Sequence, residues 1–139
     1  MADWTDLISS SVFTRIKNEF PKKITAGNKT IQMEDKNFST VGSSDTPAVF
    51  PFVYVQLLPS AEQGQDIEGD RINAGLFTFQ IEVTDNQSQT RAKAVMSEIK
   101  RIMKSMRFTV QPTPDIQDTK DIHRAIMRCN RRIGSGDIL

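Results

Sequence analysis

Two side chains in this 139-residue chain have the chemistry for acid–base or nucleophilic work, His123 and Cys129, and each is the only one of its kind. A catalytic histidine needs a nucleophile to activate or a partner that orients it. No strand-turn-helix signature of the G-x-S-x-G type supplies one. His123 therefore reads as a structural or surface residue, and Cys129 as a small apolar residue in a strand. One cysteine excludes an intrachain disulfide, and one cysteine with one histidine cannot build a structural zinc site.

The carboxylates are more numerous but no better arranged. Between Ser60 and Ala74 the chain carries Glu62, Asp66, Glu68 and Asp70 against Arg71 alone, with glycines at 64 and 69. The D-x-D-x-D-G pattern of a calcium loop is absent, so this reads as a solvated acidic loop. Gly134-Ser135-Gly136-Asp137 has the look of a phosphate-cradling turn, but such turns feed a helix N-terminus and none follows here. No catalytic residue, no metal ligand and no cofactor site emerges from the sequence. A non-enzymatic role is expected.

Charge is unevenly divided. Residues 1–90 hold 7 basic and 12 acidic side chains, and residues 91–139 hold 11 basic and 5 acidic, so halves of −5 and +6 make up a net +1. The basic residues that recur at helix or strand spacing are Lys93, Lys100, Arg101, Lys104, Arg124, Arg128 and Arg132. A solvated face, a nucleic-acid footprint, or a subunit whose acidic side meets its neighbour's basic side would each account for them. Nothing aromatic interleaves them in sequence, which weighs against stacking on single strands.

These residues must be held by a small set of elements. Trp4, Leu7, Ile8, Val12, Ile16 and Phe20 recur at steps of three and four, which predicts a helix over 3–20, stopped by Pro21. Residues 22–47 are polar and turn-rich, with a weak alternation that predicts an edge strand or hairpin. Phe50 to Leu58 is β-branched and aromatic and predicts a buried strand. From Gly75 to Thr84, Phe77, Phe79, Ile81 and Val83 alternate with polar neighbours, a half-buried strand.

After Ser88, a plausible helix cap, Ala92, Val95, Met96, Ile99, Ile102, Met103 and Met106 form the strongest helical stripe of the chain. Phe108 to Val110 predicts a short strand. In Ile122 to Ile133, Ala125, Met127 and Cys129 take one side while Arg124, Arg128, Asn130 and Arg132 take the other, with Ile126 joining the basic side. Residues 134–139 read as a polar tail.

The fold class is then α+β: a mainly antiparallel sheet of four to five strands packed against two amphipathic helices, with a long loop between the central strands. At 37% hydrophobic and 25% charged residues, positions 1–139 make one domain large enough for its own core. No stretch approaches the ~18 apolar residues of a membrane span, and residues 1–6 lack a signal-peptide pattern. A soluble protein made in the cytoplasm, with no membrane span, is expected.

The run Pro51-Phe52-Val53-Tyr54-Val55-Gln56-Leu57, a polar gap, Thr78-Phe79-Gln80-Ile81-Glu82-Val83, the helix from Ser88 to Met106, Arg107-Phe108, and Arg131-Arg132-Ile133-Gly134-Ser135-Gly136-Asp137 together resemble the tail terminator (tail completion) proteins of long-tailed bacteriophages. The resemblance spans about two-thirds of the chain, from Phe50 to Asp137, and is one of spacing. It implies a virion protein forming a ring, expected to be of six subunits, that ends the tail tube, meets a head-tail connector or neck protein, and lets DNA pass its lumen without specific binding. It further implies that Ser60–Ala74 touches the tube protein, here through Glu62, Asp66, Ile67, Glu68, Asp70 and Ile72; with Ile67 and Ile72 its only large aliphatics, that segment is expected to order only on such a partner. The seven basic residues would face a neighbouring subunit or the lumen. Another neck or head-completion protein, or a DNA-binding accessory protein, is the alternative.

Overall fold

The computed structural model describes residues 4–26, 28–40, 49–58, 62–65, 72–134 and 139, and side chains from residue 7 onward except 62–65 and 72–74. In order, the elements are α1 (Trp4–Glu19), β1 (Lys23–Ala26), β2 (Lys29–Gln32), a 3₁₀ turn (Asp35–Asn37), β3 (Phe38–Ser39), β4 (Phe52–Leu58), β5 (Glu62–Gln65), β6 (Ile72–Asp85), α2 (Gln89–Ser105), β7 (Thr109–Val110), β8 (Asp115–Asp118) and β9 (His123–Gly134). The class is α+β, as the alternation of periods predicts.

The main sheet runs β3-β4-β6-β9-β7, with β5 pairing β6 and β8 pairing β9; all its pairs are antiparallel except β3 with β4. Register fixes which side chains share a face, because the side-chain period in a strand is two. Val53 lies opposite Val83 and Val55 opposite Ile81. Phe79 lies opposite Cys129, Ile81 opposite Met127, and Val83 opposite Ala125. All of these are buried, and they are the odd-numbered positions.

Helix α2 lies on that odd face. Its stripe of Ala92, Val95, Met96, Ile99, Ile102 and Met103 is buried. Ser88 caps the start by accepting the Arg91 N–H at 3.2 Å. The end is a Schellman motif: Phe108 N–H donates to Met103 O at 3.1 Å and Arg107 N–H to Lys104 O at 2.9 Å, with Arg107 at φ 65°. Arg131, the one cation at an odd position within the alternating run of β9, turns to the helix end and donates to Met106 O at 3.1 Å.

Helix α1 packs on α2 and buries Val12, Ile16 and Phe20. Its apolar face is narrower than predicted. Leu7 is 56% exposed, because only the row 8-12-16-20 faces inward and Leu7 sits about 100° around the axis from Ile8. The β1–β2 hairpin is a separate sheet that brings Ala26 and Ile31 to the same core beside α2. Asn37 ties the turn before β3 to the chain entering β4: its side chain donates to Pro51 O at 2.7 Å and accepts from Glu34 N–H at 3.0 Å.

Four readings change. The strand Phe50–Leu58 is buried on one side only, since Phe52, Tyr54, Gln56 and Leu58 are part-exposed. In the segment Ser60–Ala74, read as a loop, 62–65 pairs with 72–75, so the described ends form a hairpin arm continuing β6. Asp115–Asp118 is a strand held by its register with 123–126. Leu139, read as the end of a polar tail, packs against the core while Arg15 Nη1 donates to its carbonyl at 2.9 Å.

Candidate assembly surface

The even-numbered face of β4, β6 and β9 is the opposite side of the sheet from α2. Its rows follow from the register: Phe52, Thr84 and Arg124; Tyr54, Glu82 and Ile126; Gln56, Gln80 and Arg128; Leu58, Thr78 and Asn130; then Leu76 beside Arg132. Of these only Thr84 is buried. Arg128, Asn130 and Arg132 are exposed, and the rest are part-exposed. Among the described residues no helix packs on this side. It grades from aromatic and aliphatic on β4, through neutral and acidic groups on β6, to a cationic column on β9.

The cations of that column differ in freedom. Arg124 Nε lies 2.8 Å from Glu82 Oε1, an ion pair that is about three-quarters or more buried on both sides. Arg128 Nε donates to Gln80 Oε1 at 3.1 Å, which holds the side chain without neutralising it. Arg132 faces solvent opposite Leu76.

The predicted basic set is not one patch. Lys93, Lys100, Arg101 and Lys104 lie on the solvent side of α2, whereas Arg124, Arg128 and Arg132 lie beyond the sheet. Arg101 is paired with Glu98 at 3.0 Å, and Lys100 Nζ donates to Pro112 O at 3.0 Å. Lys93 and Lys104 are exposed. Of the acidic set, Glu62 stands in β5 and Ile72 opens β6, while Asp66, Ile67, Glu68 and Asp70 fall outside the described residues.

The two reactive side chains do not meet. His123 and Cys129 share a strand and a face but are six residues apart, roughly 20 Å at 3.4 Å per residue. His123 Nδ1 lies 3.1 Å from Asp118 Oδ1 across the β8–β9 pair. Cys129 is buried, and desolvation pushes its thiol up to about 12, so it holds no thiolate at neutral pH. Among the described residues no group of three His, Cys, Asp or Glu side chains could hold a metal ion, and no helix is long and apolar enough to cross a membrane.

Three groups that matter locally were missed in the sequence. Asp85 is fully buried and accepts from Gln87 N–H and Ser88 N–H at 3.0 Å each, with Arg91 Nη2 at 3.7 Å from its other oxygen. The signal was an Asp before Asn-Gln-Ser, an Asx turn leading into the Ser88 cap. Arg131 was visible as a charge breaking an apolar parity. Phe52 and Tyr54 put aromatics on the cationic face through strand pairing, which residue order alone does not reveal. No family model matches the chain, and no curated protein matches it.

Proposed function

We propose that this protein is a structural subunit of a ring ending the tail tube of a long-tailed bacteriophage, where it stops tube growth and offers a surface to the head-tail connector. The observation that carries the reading is the uncovered even-numbered sheet face. Phe52, Tyr54, Leu58, Leu76 and Ile126 leave part-exposed apolar area there beside Arg128 and Arg132, which have no carboxylate partner among the described residues, a combination suited to protein contact. Among the described residues, helices cover one face of the sheet and none covers the other, and another copy can pack on that second face. The element order behind the sequence resemblance supports the same reading. DNA would pass through the ring without sequence-specific contact, and the finished location would be the virion.

The test is mass photometry of the purified protein at rising concentration, with electron microscopy of tails. A closed ring, expected as a hexamer and found at the tail end, supports the proposal. A protein that is monomeric at all concentrations and absent from particles overturns it.

The second reading, a DNA-binding accessory protein, is favoured by Arg128 and Arg132 standing in one column without a carboxylate partner among the described residues. It predicts isolated-subunit binding to DNA that falls steeply with salt. Binding without salt dependence, or none, would leave the ring.

A further inference from the structure

Along the far edge of the sheet from β5, a groove of about 250 Å³ runs between α2 and the β7–β8 connection. Pro112 and Pro114 line it from the β7–β8 connection and Lys93 and Lys100 from α2, while Met96 and Met127 lie buried beneath it. The proline rings and the lysine stems give it an apolar surface, and the flexible methionines underneath can shift to admit a side chain. Neither lysine has a carboxylate within ion-pair distance among the described residues, although Lys100 leans on Pro112 O. Such a groove fits an acidic segment that carries one aliphatic anchor.

The chain contains a segment of that composition. Asp66-Ile67-Glu68-Gly69-Asp70 connects β5 to β6. β5 pairs β6 on the β4 side of the sheet, while the groove lies beyond β9, so the two features belong to opposite edges. Complementary features on opposite edges of one subunit join copies head to tail, the contact that generates a ring when the rotation closes.

Resting on the ring reading above, we infer that the groove formed by Lys93, Met96, Lys100, Pro112, Pro114 and Met127 receives the acidic β5–β6 connection of the next copy, with Ile67 as the apolar anchor. Lys93 and Lys100 would meet Asp66 and Glu68, and because both lysines are at the surface their contribution should be strongest in steering and orientation. This assigns the acidic segment to a neighbouring subunit and not to the tube.

The test is charge exchange read by mass photometry, with circular dichroism to show that each variant folds. Lys93→Glu with Lys100→Glu, and separately Asp66→Lys with Glu68→Lys, should each raise the concentration needed for assembly by about tenfold or more. Combining all four should restore assembly toward the wild-type level. If the groove variant assembles like the wild type, or the combination recovers nothing, the contact is overturned while wild-type rings keep the ring reading. If the acidic-segment variant forms normal rings that no longer attach to tubes, the segment belongs to the tube and the inference fails. If the wild type forms no ring, it is the ring reading that fails.

Discussion

Arg107 is the described non-glycine residue with a positive φ, 65°. A side chain in that left-handed region costs roughly 1 kcal/mol, because Cβ crowds the following carbonyl. The Schellman bonds at the end of α2 hold it there, and Arg107 itself is exposed. Arg107→Gly should therefore raise stability by about 0.5–1 kcal/mol in thermal melts; a lower melting temperature would show that the cation at the helix C-terminus outweighs the strain. Asp85 predicts the opposite sign. Its removal in Asp85→Ala leaves two N–H groups at the α2 start unpaired and a nearly buried Arg91 without its carboxylate, for a loss of about 2–4 kcal/mol in chemical denaturation. Cys129 sets a pH dependence. Its thiol titrates at about 12 when folded against 9.0 for an unperturbed thiol, so the folded state keeps a proton that the unfolded chain releases. Its contribution is constant below pH 9 and lost progressively between 9 and 12, at about 1.4 kcal/mol per pH unit. Cys129→Ala costs on the order of 1 kcal/mol at pH 7 for lost packing. By pH 10.5 that deficit should shrink by about 2 kcal/mol and reverse; a deficit unchanged between pH 7 and pH 10.5 would overturn the desolvated thiol.

The elements divide by how much of their order is their own. The stripe of α2 is periodic over its whole length, and every predicted core position in it, including Ile99 and Ile102, is buried. Ile99→Asp puts a carboxylate among Val95, Ile102 and Met103 with no partner, which should unfold the domain at room temperature. A near-normal melt would refute the register, and Lys100→Ala, losing one exposed bond to Pro112 O, should stay within about 0.5 kcal/mol of wild type. β6 and β9 were legible for the same reason, since one face packs and the other does not. β5 and β8 were not. Glu62-Gln63-Gly64-Gln65 has no aliphatic residue, and Asp115-Ile116-Gln117-Asp118 has one, so neither carries an alternation. They are strands because β6 and β9 run on past their other partners and present open backbone groups to pair. In α1, Leu7 is spaced like a core residue, yet which side of an apolar arc turns inward is decided by the partner helix.

At the scale of the molecule, the alternation of residues is legible in the sequence, but not that the described helices all pack on one face of the sheet. β4 reads as apolar on both parities, Phe52-Val53-Tyr54-Val55, and such a run predicts cover on both faces. Cover by described helices exists on one face only, and the aromatic parity is the one left part-exposed. The same sheet separates the basic residues into two surfaces, which a charge count along the chain cannot do. Parity therefore makes the sharpest prediction about the whole subunit. Val53→Glu with Val55→Glu buries two carboxylates against Val83 and Ile81 and should abolish folding. Tyr54→Glu with Leu58→Glu changes neighbouring positions of the same strand by as much in charge, but on the part-exposed side, where water can still reach both groups. That pair should melt within about 1 kcal/mol of wild type while losing self-assembly in mass photometry, because desolvating two carboxylates in a contact is unfavourable. Equal melting losses from the two pairs would mean that the even face is as closed as the odd one. Intact rings from the Tyr54 and Leu58 variant would mean that assembly uses another surface.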